Sequence, residues 1–332
     1  MKKLFLSSKA FLVSVCLCLS MTNYAQSSAE QKVVESVNTE AIEQTKLEIQ
    51  RNREIFEERL KQLREDSAKT RTRKSSVVTQ QQAIDSVYEQ PVGDLVDILD
   101  DGTLIYYITE NAGGATTSRT NHLHPGGSLG YSLYGEGMVA GVWDGGRIRE
   151  THDLFTNRAD YIDNTGTSLS DHATHVSGTI IGHENAGSAK GMAPRAEVIG
   201  YDWFDDESEM ATEAQGGLLL SNHSYGWNGA YLSNYTFGKY VTKAKTIDDI
   251  CYAAPYYLPV ISAGNDRGRY NTTKGGYDLL SGFKVAKNNL VVGAVYELST
   301  YTGPGSVRMS SFSSYGPTDD GRIKPEIVTK GV

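Results

Sequence analysis

Residues 138–143 have the sequence MVAGVW, a short apolar run that is followed at once by an aspartate. Similar runs recur at 196–201 (AEVIGY), 217–222 (GLLLSN), 258–263 (LPVISA) and 289–295 (NLVVGAV). Helix-like stretches lie between them, near 173–183 and 237–253. Apolar strands that alternate with helices predict an α/β fold, a doubly wound parallel sheet with helices on both faces. Ligands of such sheets bind beyond the carboxyl ends of the strands, so the residues that follow these runs are the first candidates for a site.

The first 90 of the 332 residues differ in composition from the rest, because all 34 glycines and all 8 prolines lie after them. Residues 28–70 predict one charged helix. Its apolar side chains recur every seven residues, at Ile42, Ile49, Phe56 and Leu63. Because this stripe is narrow and the remaining positions are polar, we expect one amphipathic helix that docks on another part of the protein.

Two features follow this helix. The basic tract Arg71, Arg73 and Lys74 has two interpretations, a solvated linker or a proteolytic processing site. Farther on, two apolar runs within residues 94–108 flank Asp101-Gly102, a strong two-residue turn signal. The second feature predicts a β-hairpin.

The amino terminus predicts a signal peptide over residues 1–25. Lysines precede an apolar run, Phe11–Met21, that is too short to span a bilayer. We therefore expect a secreted or cell-surface protein with no membrane segment after cleavage. Cys251 is then the only cysteine, so no internal disulfide can form. The formal net charge of -8 argues against nucleic acid as a partner, because phosphate backbones are bound by basic surfaces.

Three polar residues stand where this fold places its ligands. Asp144 follows the strand at 138–143, His172 opens the helix near 173–183, and Asn265 follows the strand at 258–263. Taken singly, Asp144 and Asn265 are ordinary turn residues, and His172 with His175 is a packed or metal-binding pair on one helix face. Taken in order, aspartate, histidine and asparagine match one class of serine-protease site. There the aspartate orients the imidazole, the histidine transfers the proton, and the asparagine amide stabilises the oxyanion.

Over about residues 130–332 the chain resembles the subtilases, the subtilisin-like serine proteases. Five motifs occur in the family's order: VAGVWDGG at Asp144, HATHVSGTI with KGMAPRAEV at His172, HSYG at 223–226, ISAGND at Asn265, and FSSYGPTDDGRIKPEIV at 312–328. The resemblance implies that Asp144, His172 and Asn265 are catalytic. It also implies that a peptide substrate adds a strand along Ser224, Tyr225 and Gly226. Catalysis in this family requires no cofactor, and many members bind structural calcium.

Four departures from the family pattern stand out. Gly145 replaces the usual Thr or Ser, Ala173 replaces the usual Gly, and Tyr225 replaces a commoner Leu. The fourth is larger, because no residue matches the Gly-Thr-Ser-Met-Ala-like motif that carries the nucleophilic serine. Gly166-Thr167-Ser168 precedes His172 and so has the wrong order. The segment 126–130 (GGSLG) lacks the preceding strand and following helix of a nucleophile elbow.

The missing serine leaves two explanations. The chain is a fragment of a secreted serine endopeptidase whose serine lies beyond Val332, or it is an inactive subtilase homologue that serves as a peptide-binding or scaffold protein. We expect the first, with a peptidase domain at 116–332 that is incomplete at its C-terminus. In that case the full-length protein hydrolyses peptide bonds by an Asp-His-Ser triad, and this chain alone is inactive.

The resemblance gives a role to two further features. Residues 26–115 occupy the position of an inhibitory propeptide, although their long helix does not match the usual compact form and would also suit a spacer. An acidic cluster offers oxygens for calcium, at Asp202, Asp205, Asp206, Glu207 and Glu209. A solvated loop explains the cluster equally well, and we assign no metal to it.

Overall fold

The structure is a computed structural model that describes residues 28–71, 94–98, 104–109, 118–163, 168–186, 189–298 and 300–331. The predicted signal peptide at 1–25 lies outside these residues, as do Arg73 and Lys74 of the basic tract.

The N-terminal region forms two helices rather than one. Helix α1 (Ser28–Ser36) and helix α2 (Thr39–Arg71) are separated at Val37 and Asn38. The break has a local cause, because the Asn38 side chain accepts a hydrogen bond from the Ala41 N–H (3.0 Å) and caps the start of α2. The prediction of a continuous helix over 28–70 is therefore wrong.

The predicted pairing of the two hairpin strands is confirmed, and the predicted turn at Asp101-Gly102 lies outside the described residues. Strands β1 (Asp94–Ile98) and β2 (Leu104–Thr109) pair antiparallel. The hairpin belongs to a three-stranded sheet, whose third member is strand β7 (Tyr225–Trp227) on the far edge of β2.

The central sheet has seven strands. In chain order they are β3 (Val139–Asp144), β4 (Ala159–Tyr161), β5 (Glu197–Asp202), β6 (Leu220–His223), β8 (Leu258–Ser262), β9 (Leu290–Val295) and β10 (Ile327–Lys330). Their spatial order is β10-β9-β8-β6-β3-β5-β4, and every neighbouring pair is parallel. The five strands predicted from sequence are all present. The two additional strands, β4 and β10, are short edge strands with too few residues to show a pattern.

Helices cover both faces of this sheet. They are α3 (Asp171–Ile181), α4 (Asp206–Gln215) and α5 (Thr242–Ala253). Successive side chains of β3 enter opposite cores: Val142 shares one with Val176 of α3, and Trp143 shares the other with Met210 of α4 and Ile247 of α5. The predicted doubly wound α/β fold is confirmed. Helix α5 begins five residues later than the predicted stretch.

Helix α2 docks on the layer formed by α4 and α5. Ile42 and Ile49 of its seven-residue stripe are buried in the core to which α4 and α5 contribute. Outside this apolar centre, Lys245 of α5 forms an ion pair with Glu48 (3.2 Å). The predicted docking of an amphipathic helix is therefore confirmed. None of the described helices combines the length and the apolar character needed to cross a bilayer.

Candidate active site

Asp144 is the last residue of β3, and its side chain is completely buried. The Gly145 N–H donates a hydrogen bond to Asp144 Oδ1 (2.8 Å). A side chain at position 145 would meet the ring of Trp203, which lies 2.7 Å from where its Cβ would be. This close approach explains why glycine stands where the family pattern has Thr or Ser.

His172 lies in the first turn of α3. Ser170 caps this helix, since its hydroxyl accepts a hydrogen bond from the Ala173 N–H (3.1 Å). His172 Nδ1 lies 2.7 Å from Asp144 Oδ1 and 2.9 Å from Oδ2. Because a carboxylate only accepts hydrogen bonds, this contact assigns the proton to Nδ1 and leaves Nε2 as an acceptor. Nε2 is buried and has no hydrogen-bond partner among the described residues. The pair therefore has the arrangement of an oriented general base.

Asn265 lies three residues beyond the end of β8 in a well-anchored loop. Gly264 before it adopts a positive φ of 105°, which favours glycine. The Ser314 N–H donates to the Gly264 carbonyl (2.8 Å), and the Asp266 N–H donates to Ser314 Oγ (3.0 Å). Two hydrogen bonds from one residue thus hold the backbone on both sides of Asn265.

A cavity of about 350 Å³ joins Asn265 to the predicted substrate segment. Its lining includes Asn265, Ser224 and Asn222, together with apolar side chains at the carboxyl ends of β8 and β9. Ser224 Oγ accepts a hydrogen bond from Asn222 Nδ2 (2.9 Å). The structure therefore brings Asp144 into contact with His172, and places Asn265 and Ser224 around one cavity at the same edge of the sheet.

The predicted substrate segment already carries a strand of the protein's own chain. Tyr225 pairs with Thr109, Gly226 with Ile108, and Trp227 with Tyr107, all antiparallel. The side chain of Tyr225 is completely buried, so only its backbone faces this added strand. The sequence motif located the segment but contained no signal for its partner.

The acidic cluster does not gather around a common point. Asp205 pairs with Arg53 of α2, Asp206 pairs with Lys243 (2.8 Å), and Asp202 accepts from the Phe204 N–H (2.9 Å). Within the described parts of the chain, no group of three or more His, Cys, Asp or Glu side chains is arranged to hold a metal ion.

Sequence reasoning named Glu209 only as a member of the acidic cluster and missed its place behind the site. Glu209 Oε2 accepts a hydrogen bond from Trp143 Nε1 (2.9 Å), and Trp143 directly precedes Asp144. Burial raises the pKa of Glu209 to about 8, against the lowering effect of the Trp143 hydrogen bond. The charges of Asp163, Asp206 and Asp202 raise this pKa further. In the sequence Glu209 is one more acid on a charged helix, and only the packing of β3 against α4 sets it apart.

These features define a class of protein, the α/β proteins that hold an aspartate–histidine pair of the serine-hydrolase kind at the carboxyl edge of a parallel sheet. The sequence model of the subtilase family matches residues 93–332, which is most of the chain. The chain therefore belongs to the subtilase family.

Individual relatives are distant. Subtilisin-like protease 7 of Arthroderma gypseum is 28% identical over 158 residues, which cover 45% of this chain and 38% of that protein. A cold-adapted subtilisin-like serine proteinase of known structure is 20% identical with a TM-score of 0.38, over 60% of this chain and 64% of its own. Fervidolysin from Fervidobacterium pennivorans, a keratinolytic enzyme related to subtilisin, is 18% identical with a TM-score of 0.40, over 68% of this chain and 36% of its own. The chain thus spans well under half the length of the curated relative.

Proposed function

We propose that the full-length protein is a secreted serine endopeptidase that hydrolyses peptide bonds in protein or peptide substrates. One observation carries the proposal: the buried Asp144 carboxylate holds His172 Nδ1 at 2.7 Å and leaves Nε2 buried without a described partner. An unpaired buried acceptor costs free energy, and this cost is tolerated where the atom serves the chemistry.

The proposed reaction uses groups of the chain in fixed roles. His172 Nε2 takes the proton from a serine hydroxyl as its oxygen attacks the substrate carbonyl, and Asp144 stabilises the imidazolium that forms. The Asn265 amide donates to the oxyanion of the tetrahedral intermediate. His172 then gives its proton to the leaving amine, and water hydrolyses the acyl-enzyme by the same steps.

We propose that the nucleophilic serine lies on a segment that follows Val332. None of the described hydroxyl groups forms a hydrogen bond with His172 Nε2. Ser313 and Ser314 are fully buried and already bond the backbone, at the Ala294 and Asp266 N–H groups. The largely apolar cavity beside Asn265 is a suitable place for an added helix to pack.

We further propose that residues 26–115 are an inhibitory propeptide. Strand β2 pairs with Tyr225–Trp227, the stretch along which a substrate would pair. Its last residue, Thr109, lies opposite Tyr225, so β2 runs antiparallel to β7 and ends towards Ser224. Helix α2 adds the docking contact on α4 and α5 that holds this region in place. A peptide substrate can pair with β7 only after β2 has left.

The test compares three variants of the full-length protein with wild type in casein hydrolysis. His172→Ala should abolish hydrolysis, and Asn265→Ala should lower turnover by about 10²–10³. His175→Ala, on the same helix, is the matched control and should retain activity. Casein hydrolysis at the normal rate by the His172 variant would contradict the proposal. A wild-type protein that binds peptides and never cleaves them would instead support a non-catalytic peptide-binding role.

A further inference from the structure

A continuous chain of buried polar side chains lies under the substrate segment. It passes through Tyr257, Ser221, His223, Tyr225 and Asp206, and none of these residues is more than 4% exposed. Tyr225 belongs to β7, Ser221 and His223 belong to β6, and Asp206 begins α4. This series of side chains therefore connects the substrate segment to the central sheet and to a covering helix.

The hydrogen bonds between these five side chains are all donated in the same direction, towards Asp206. Asp206 forms an ion pair with Lys243 (2.8 Å), and the Tyr225 hydroxyl donates to its other oxygen (2.9 Å). Since Tyr225 has only one proton, His223 Nδ1, at 3.0 Å, must donate to the Tyr225 oxygen.

The same reasoning continues through the imidazole. Complete burial lowers the pKa of His223 to about 3, so its ring is neutral and Nε2 accepts. Ser221 Oγ donates to that nitrogen (2.8 Å), and Tyr257 donates to Ser221 (2.6 Å). Every hydrogen-bonding proton in this series of side chains is therefore assigned, and the series ends at the Asp206 carboxylate.

Aromatic packing holds the central members rigidly. The His223 ring stacks on Trp143, with ring centroids 5.3 Å apart and planes at 16°. The Tyr225 ring packs edge-on against Phe283 at 5.4 Å. Both tyrosine and histidine therefore sit in a single orientation, and the peptide backbone between them, at Ser224, is held from both sides.

The geometry points to Tyr225 as a positioning residue for substrate binding. We propose that its hydroxyl, held by His223 and Asp206, fixes the backbone of Ser224–Gly226 in the extended form that a peptide substrate pairs with. A leucine at this position, commoner in the family, would bury its side chain but could not form these bonds. The inference rests on the proposed peptidase function and adds a determinant of substrate affinity to it.

The test replaces Tyr225 with phenylalanine in the full-length protein and measures kcat and KM for an extended peptide. Loss of a hydrogen bond to a buried charged group weakens an interaction by about tenfold. We expect KM to rise by roughly that factor while kcat changes less than about twofold, because the residue acts on binding and not on the chemical step. Ser221→Ala, which removes a more distant bond of the same chain, should raise KM in the same direction by a smaller factor and serves if the first variant does not fold.

The matched control is Tyr240→Phe. Tyr240 also donates its hydroxyl to a carboxylate, Asp248 (2.7 Å), but lies outside β6 and β7. The Tyr240→Phe variant should have a lower melting temperature than wild type and an unchanged KM. An unchanged KM in Tyr225→Phe, with a melting temperature lowered as in the control, would overturn the inference.

Hydrogen exchange provides a readout that does not depend on activity. The amides of residues 224–227 should exchange about tenfold faster in Tyr225→Phe than in wild type, and at the wild-type rate in Tyr240→Phe. If the wild-type protein cleaves no peptide, the proposed function fails and this measurement alone decides the inference. Equal exchange in all three proteins would contradict it.

Discussion

Replacing Glu209 with glutamine should remove a loss of stability that develops in the wild-type protein between about pH 4.5 and 8. Burial raises the pKa of Glu209 from its ordinary value of 4.5 to about 8 in the folded protein. The folded state therefore binds this proton more tightly than the unfolded state does. The stability contributed by protonated Glu209 is fully present below pH 4.5 and is lost as the pH rises through 8.

The size of the effect follows from the pKa difference. An interval of about 3.5 units, at 1.36 kcal/mol per unit, sets an upper bound of about 5 kcal/mol. Because Glu209 is partly rather than fully buried, solvent screening reduces this, and we expect a loss of about 2 kcal/mol. Glutamine cannot ionise, and its carbonyl can still accept the Trp143 Nε1 hydrogen bond.

The assay is urea unfolding of both proteins at several pH values between 4.5 and 9, followed by tryptophan fluorescence. Trp143, Trp203 and Trp227 are all buried and report the transition. Histidines and other groups that titrate in this range contribute equally to both proteins, so their contribution cancels in the difference between the two unfolding free energies. We expect the unfolding free energy of Glu209→Gln, measured relative to wild type, to rise by about 2 kcal/mol between pH 4.5 and pH 9. A difference that stays constant with pH would refute the assigned pKa.

Two further predictions concern the elements that hold the site. Ile42→Ala should cost about 2–4 kcal/mol of unfolding free energy because the side chain is fully buried between α2 and its docking face, whereas Leu47→Ala, 59% exposed, should cost less than about 0.5 kcal/mol. Equal urea midpoints for the two variants would show that α2 is not docked. Ser170→Ala removes the cap of the helix that carries His172 and should cost about 1 kcal/mol; a chemical denaturation curve identical to wild type would contradict the capping contact.

Patterns local in the chain predicted much of this protein. The five apolar runs and the helices between them predicted the parallel sheet, because a strand buried on both faces is apolar along its whole length. The motifs around Asp144 and His172 placed both residues at one edge of that sheet, and the structure joins them at 2.7 Å. The stripe at Ile42 and Ile49 likewise predicted a docking face, since a helix buries one side.

Contacts between distant segments were beyond such patterns. The interruption at Asn38 depends on one side-chain cap within an otherwise helical sequence. The raised pKa of Glu209 depends on packing of α4 against β3, and the same glutamate on a solvated helix would titrate normally. Nothing in the sequence near Tyr225 indicates that its hydroxyl donates to Asp206 or that the His223 ring packs against Trp143 and Phe283.

The sequence by itself therefore determined the α/β class, the order of the site residues and the family, because residue type and spacing encode strand burial and motif chemistry. The tertiary structure alone decided that β2 pairs with Tyr225–Trp227, that α2 covers α4 and α5, and that a polar chain runs under the substrate segment. The physical reason is that a strand edge or a buried hydroxyl could form equally favourable hydrogen bonds with many different partners. Only the packing of the whole chain selects one of them.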